Sequence, residues 1–157
     1  MAQIATRLGV GRSTLYRWVG DRDALMDQVI DATTTKLSKS VSRRIRGKGL
    51  DRVASAVRVY LEATTRYEPL RSLAQREPQV ALHVFMNPDG VFAAHSSAAL
   101  QQQLQDSLPD VKVPDDVVEV LNATNLALVW ASIAGGYEPH IDRAVSLLRT
   151  VVAAHSA

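Results

Sequence analysis

With 157 residues, 46% of them hydrophobic, the chain can build one sizeable core or a small head on a larger body, and the absence of cysteine excludes disulfides and thiolate metal sites. No run reads as a membrane span and Met1 opens no basic-then-apolar secretory pattern, so a cytoplasmic protein without a membrane partner is expected. The net charge of +2 is unevenly spread: residues 1–50 hold 10 Lys and Arg against 4 Asp and Glu (net +6), whereas residues 51–157 hold 8 against 12 (net −4). A basic head on an acidic body suits a domain that meets a polyanion joined to one that does not.

The first predicted elements are two short helices joined by a glycine turn within IATRLGVGRSTLYRWVGDRDAL, residues 4–25. The first, about Ala2 to Leu8, puts Ile4, Ala5 and Leu8 on one face, and Gly9 ends it because glycine adopts the left-handed conformation without a Cβ clash. The second, Arg12 to Val19, turns Leu15 and Val19 inward and Arg12, Ser13, Tyr16 and Arg17 outward. That outer surface of hydrogen-bond donors suits phosphates and base edges. Asp21 is a good N-cap for a third, long helix with the apolar stripe Leu25, Met26, Val29, Ile30, Thr33 and Leu37. This helix becomes basic from Lys36 onward and is broken by Gly47 and Gly49. Its basic end is open to two readings, a second DNA-facing strip or a solvated face.

The string Thr14-Leu15-Tyr16-Arg17-Trp18-Val19-Gly20-Asp21-Arg22-Asp23-Ala24-Leu25 resembles the recognition helix and exit of the TetR family of bacterial transcription regulators. The resemblance implies an all-α fold, in which a helix-turn-helix DNA-binding head is joined by a connector helix to a helical ligand-binding and dimerisation body. It implies that Arg12, Ser13 and Thr14 lie near base edges of operator DNA, and that Tyr16, Arg17, Trp18 and Arg22 grip phosphates. Val19 stands where the family usually has phenylalanine, and Trp18 where it more often has histidine or tyrosine. Trp18 therefore has two readings, an indole N–H donor to phosphate or a cover over the gap left by Val19. In the resembled architecture a further helix precedes this point and packs across both helices. The head, 1–46 with its connector, is thus expected to lack its first helix and to leave a partly open apolar cavity.

The body is expected over 47–157. Leu50, Val53, Ala54, Val57, Tyr60 and Leu61 mark an amphipathic helix from about Asp51 to Arg66. Pro69 and Pro78 open two shorter ones, Pro69 to Arg76 and Pro78 to Phe85. Asn87-Pro88-Asp89-Gly90 is a turn, followed by a helix over Val91 to Leu108 and a loop from Pro109 to Pro114. The next helix, Asp116 to Ala134, is apolar almost all round and should be buried on two sides, and the last runs from His140 to Ala154. These two helices can supply half of a four-helix bundle whose other half comes from a second copy, giving a homodimer. The segment Glu68 to Gly90, with the YRWVG string, is similar to a lactone-responsive subgroup of the family.

For a small-molecule effector, the lining candidates are Tyr60, Tyr67, His83, Phe85 and Met86, together with Phe92, His95, Asn122, Asn125 and Trp130. An apolar pocket with a few polar groups is the usual form of such a site. Asn122 and Asn125 interrupt an apolar helix, so their amides need partners, either in a pocket or across a dimer seam. His83 and His95 with Asp89 show neither metal-type spacing nor a nucleophile motif. No enzyme, cofactor or metal is therefore expected. The alternative to a ligand-responsive regulator is a truncated relative that does not bind DNA and acts only through dimerisation or ligand binding.

Overall fold

The computed structural model describes residues 1–156. The elements are α1 (Ala2–Leu8), α2 (Arg12–Val19), α3 (Arg22–Ser42), α4 (Gly49–Thr65), α5 (Glu68–Arg76), α6 (Pro78–Met86), α7 (Val91–Ser107), α8 (Asp115–Gly135) and α9 (Ile141–Ala154). The fold is all-α, and every predicted helix is present, with ends within one or two residues of those expected, the usual latitude of helix termini, except that α3 stops at Ser42 instead of running to the glycines at 47 and 49.

The head is set by backbone chemistry at its turns. Gly9 closes α1 at φ 66° and Gly20 closes α2 at φ 75°. A Cβ at Gly20 would also lie 3.0 Å from the Ala24 methyl, so this turn needs glycine for space as well as for conformation. Asp21 then caps α3, its Oδ1 accepting from the Ala24 N–H at 2.8 Å, which satisfies one of the orphan donors of the first turn. The Gln28 side chain donates to the Val19 carbonyl at 3.2 Å and ties the end of α2 to α3.

The core lies in the body. Helix α4 packs against α3, α7, α8 and α9, and Val53, Leu61, Val118, Val129, Leu148 and Val152 are almost wholly withdrawn from water. Each such aliphatic is worth about 1.5–3 kcal/mol relative to exposure. A smaller cluster joins Leu37, Val41 and Ile45 to Ala56 and Val59 of α4. The C-terminal half of α3 is thus built into the body, while its N-terminal end carries the head.

Ala5 and Leu15 form the small centre of the head, while Ile4 is exposed and Leu8 is 59% exposed, because α1 packs against α2 and little else, which leaves the apolar face of α1 open. One expectation about burial is corrected. Helix α8 is buried on one side, through Val118, Leu121, Asn122, Asn125, Leu126 and Val129, while Val120 on its far side is 67% exposed. Its length and composition also match those of a membrane-crossing helix, contrary to the expectation from sequence runs, with a third of that stretch buried inside the fold. The buried third is the core-facing side of a helix that packs against α4, α6 and α7.

Candidate nucleic-acid interface and ligand cavity

Helix α2 presents its polar side to solvent. Arg12, Ser13, Tyr16 and Arg17 are exposed and Thr14 is half-buried, while Leu15 on the opposite side is buried against α1. The side chains suited to base edges therefore cluster at the N-terminal end of one exposed face, with a second set a turn further on. Trp18 is 60% exposed and does not fold back over Val19. Arg22, also exposed, stands 3.5 Å from Glu77 at the α5–α6 junction, a contact between head and body.

A second bridge joins the connector to the body. The His95 Nε2 on α7 lies 3.0 Å from the Asp31 carboxylate, and its Nδ1 lies 3.4 Å from the Thr34 hydroxyl on α3. The candidate His95 thus contacts the connector helix. Just beyond the end of α3, Arg44 pairs with Glu62 at 3.3 Å and the Arg46 guanidinium donates to the Arg43 and Ile45 carbonyls. These groups are largely solvent-facing.

A cavity of about 250 Å³ opens between the C-terminal half of α3 and helices α4, α7 and α8. Val41, Ile45, Ala56, Val57 and Leu100 supply its apolar walls, and Ser38, Ser42, Ala99 and Gln102 stand at its exposed mouth. Tyr60, Asn122 and Asn125 are the sequence candidates it brings together, joined by Ser96 and Gln103. Burial pushes the Tyr60 phenol up to about 12, with the Ser96 and Thr64 hydroxyls pulling the other way, so it stays neutral.

The two asparagines differ. Asn122 is held: its Nδ2 donates to the Ser96 hydroxyl at 2.9 Å, the Ser97 hydroxyl at 3.0 Å and the Ala93 carbonyl at 3.4 Å. Asn125, one turn on, forms no hydrogen bond within the described residues. Both face the interior and α7, not the exposed side of α8, so a seam-bridging role does not match their position.

The remaining candidates are dispersed. Met86 and Phe85 line a separate cavity of about 300 Å³ at the α6–α7 turn, where Asp89 and Glu119 are also present and Asn122 forms a shared wall. Tyr67, Phe85 and Phe92 border a smaller apolar space of about 120 Å³ under the N-terminal half of α3, and the Phe85 and Phe92 rings meet edge-on at 4.4 Å. His83, on the solvent side of α6, and Trp130, half-buried on α8, line none of these spaces. Among the described residues no three His, Asp or Glu side chains converge on a metal-sized site.

The profile of the tetracyclin repressor-like, C-terminal domain family matches residues 48–153. The chain belongs to the TetR family. Its fold is also that of the R. erythropolis transcriptional repressor QsdR, a TetR-family protein, with a TM-score of 0.81 and 26% identity over 97% of this chain and 83% of that one. No curated protein matches the chain. A TetR-family chain is a ligand-responsive transcriptional regulator and not an enzyme. Members of the family bind operator DNA as homodimers and respond to small-molecule effectors.

Ser96, Gln103, Val41 and Ile45 were not among the sequence candidates. For the last two a signal existed, since Leu37, Val41 and Ile45 recur every fourth residue through the basic stretch. The polar pair on α7 carried none, because small and amide residues on a half-wet helix read as surface.

Proposed function

We propose that the chain is a cytoplasmic repressor that binds operator DNA as a homodimer through α2 and is controlled by a small molecule in the cavity between α3, α4, α7 and α8. The division of labour is residues 1–46 as head and connector and 47–157 as ligand-binding and dimerisation body. The observation that carries the reading is the exposed donor face of α2, held over a buried Leu15 by two glycine turns. Arg12, Ser13 and Thr14 are assigned to base edges. Tyr16, Arg17, Trp18 and Arg22 are assigned to phosphates, Arg22 exchanging Glu77 for DNA.

Dimerisation is assigned to α8 and α9. Val120, Ala123 and Ala127 on α8 and Leu147 and Ala154 on α9 leave an apolar face in water, and an isologous contact would cover it. Paired heads can then enter successive major grooves about 34 Å apart. The 250 Å³ cavity is the effector site because the connector forms one of its walls. A ligand that favours one position of α3 shifts the separation of the heads by its differential affinity. The 300 Å³ cavity does not touch α3 and lacks that lever.

The test is selection of random duplex DNA on the purified chain. An inverted repeat with half-sites one helical turn apart is expected. Failure to enrich any sequence, with the body folded and dimeric, overturns DNA binding and leaves a protein that acts through dimerisation or ligand alone.

A further inference from the structure

The fourteen residues that line the α3–α4–α7–α8 cavity include no Asp, Glu, Lys, Arg or His. A charged ligand placed there would lose its hydration without a counter-charge, a cost that protein interiors avoid. The walls are nonetheless not inert. Asn125 is 9% exposed, lines the cavity and makes no side-chain hydrogen bond to the described residues, so its amide is uncommitted and meets the solvent of the cavity. Gln103 lines the same space, and its Oε1 is withdrawn from water without a partner. Buried amides are normally satisfied, and an unsatisfied one marks a place where a partner is missing. Asn122 supplies the contrast, since its Nδ2 is already committed to Ser96, Ser97 and Ala93.

We infer that the effector is an uncharged molecule with an apolar tail and one amide-like head, carrying both a donor and a carbonyl acceptor, and that Asn125 is the residue that recognises the head. The tail lies along Val41, Ile45, Val57 and Leu100, and Gln103 takes the second hydrogen bond. A volume of 250 Å³ corresponds to about eight water molecules at liquid density, which sets the scale of the ligand. Asn122 is a fixed strut between α7 and α8, not a recognition group. This inference rests on the cavity being the effector site proposed above.

The experiment measures binding of octanamide, methyl octanoate, octanoate and octylammonium to the full chain by equilibrium dialysis. Octanamide is expected to saturate one site per chain, with both charged probes at least about tenfold weaker and the ester, which lacks a donor, intermediate. Asn125→Leu should reduce octanamide to the level of the ester and leave the melting temperature of the free protein equal or higher. Asn122→Leu should lower that melting temperature, because it strands the groups bonded to the Asn122 amide. Equal or tighter binding of a charged probe, an unchanged octanamide-to-ester ratio in Asn125→Leu, or a lower melting temperature for that variant would each overturn the inference. The ratio in Gln103→Leu, expected to fall, gives a reading that does not depend on the folding of the Asn125 variant. Octanamide that binds with the expected discrimination but leaves affinity for the selected DNA unchanged supports the ligand class and overturns the effector reading. A charged probe that occupies the cavity and releases DNA does the reverse.

Discussion

Arg12 and Arg17 are both exposed on α2 but five residues apart, so they point to different parts of its solvent side, and they are expected to do different work. An arginine at a base edge pairs bidentately with guanine and discriminates, whereas one on a phosphate only attracts. Arg12→Ala should therefore cost about 1–3 kcal/mol on the selected sequence and little on random DNA. Arg17→Ala should weaken both alike and lower the slope of log affinity against log salt by about one. Competition binding at two or more salt concentrations separates them, and equal losses on both DNAs for Arg12→Ala would remove its assigned role. The Tyr60 phenol has a pH signature, because burial raises it from 10.0 to about 12. A raised acid favours the protonated folded form, so its contribution to stability is complete below pH 10 and is lost as the pH climbs toward 12. Melting temperature against pH should fall across that window, and the fall should be shallower in Tyr60→Phe.

At the scale of the element, the helices were legible because their ends carry local chemistry. Gly9 and Gly20 stop α1 and α2 at positive φ, Asp21 caps α3, and Pro69 and Pro78 sit in the first turns of α5 and α6. What sequence left open depends on which face meets which neighbour. The apolar stripe of α3 was followed to Leu37 and lost in the basic stretch, although Val41 and Ile45 continue it into the cluster with Ala56 and Val59. Asn122 and Asn125 share a helix and a residue type. Only their partners across α7 divide a strut from a free amide. The connector gives a prediction of its own, since His95 and Arg22, with Arg44 just beyond its basic end, are side chains whose ion pairs bridge it or the head to the body. His95→Ala should change global stability by no more than about 1 kcal/mol, as exposed bridges do. It should nevertheless alter DNA affinity, because it frees one side of α3 from α7. A calorimetric scan paired with DNA titration checks both, and unchanged DNA affinity would reduce the His95 bridge to surface chemistry.

For the whole molecule, the charge split and the exposed α8–α9 face point to one assembly: two acidic bodies joined, two basic heads apart. The apolar character of α8 predicts burial on two sides, and one of those sides is open in the single chain, with Val120 its most exposed large apolar side chain. A like-charge pair placed opposite itself across a symmetric contact is strongly unfavourable, so Val120→Asp should dissociate a dimer without disturbing the core residues on the other side of α8. Sedimentation at micromolar concentration is expected to give a dimer of the 17.1 kDa chain and a monomer for Val120→Asp. The decisive measurement joins this face to the head: the stoichiometry and affinity of wild type and Val120→Asp on the DNA that the wild type selects. Two chains per duplex bound together, and loss of high-affinity binding in Val120→Asp although α2 is untouched, is the expected result. One chain per duplex, or undiminished binding by the monomeric variant, would contradict it.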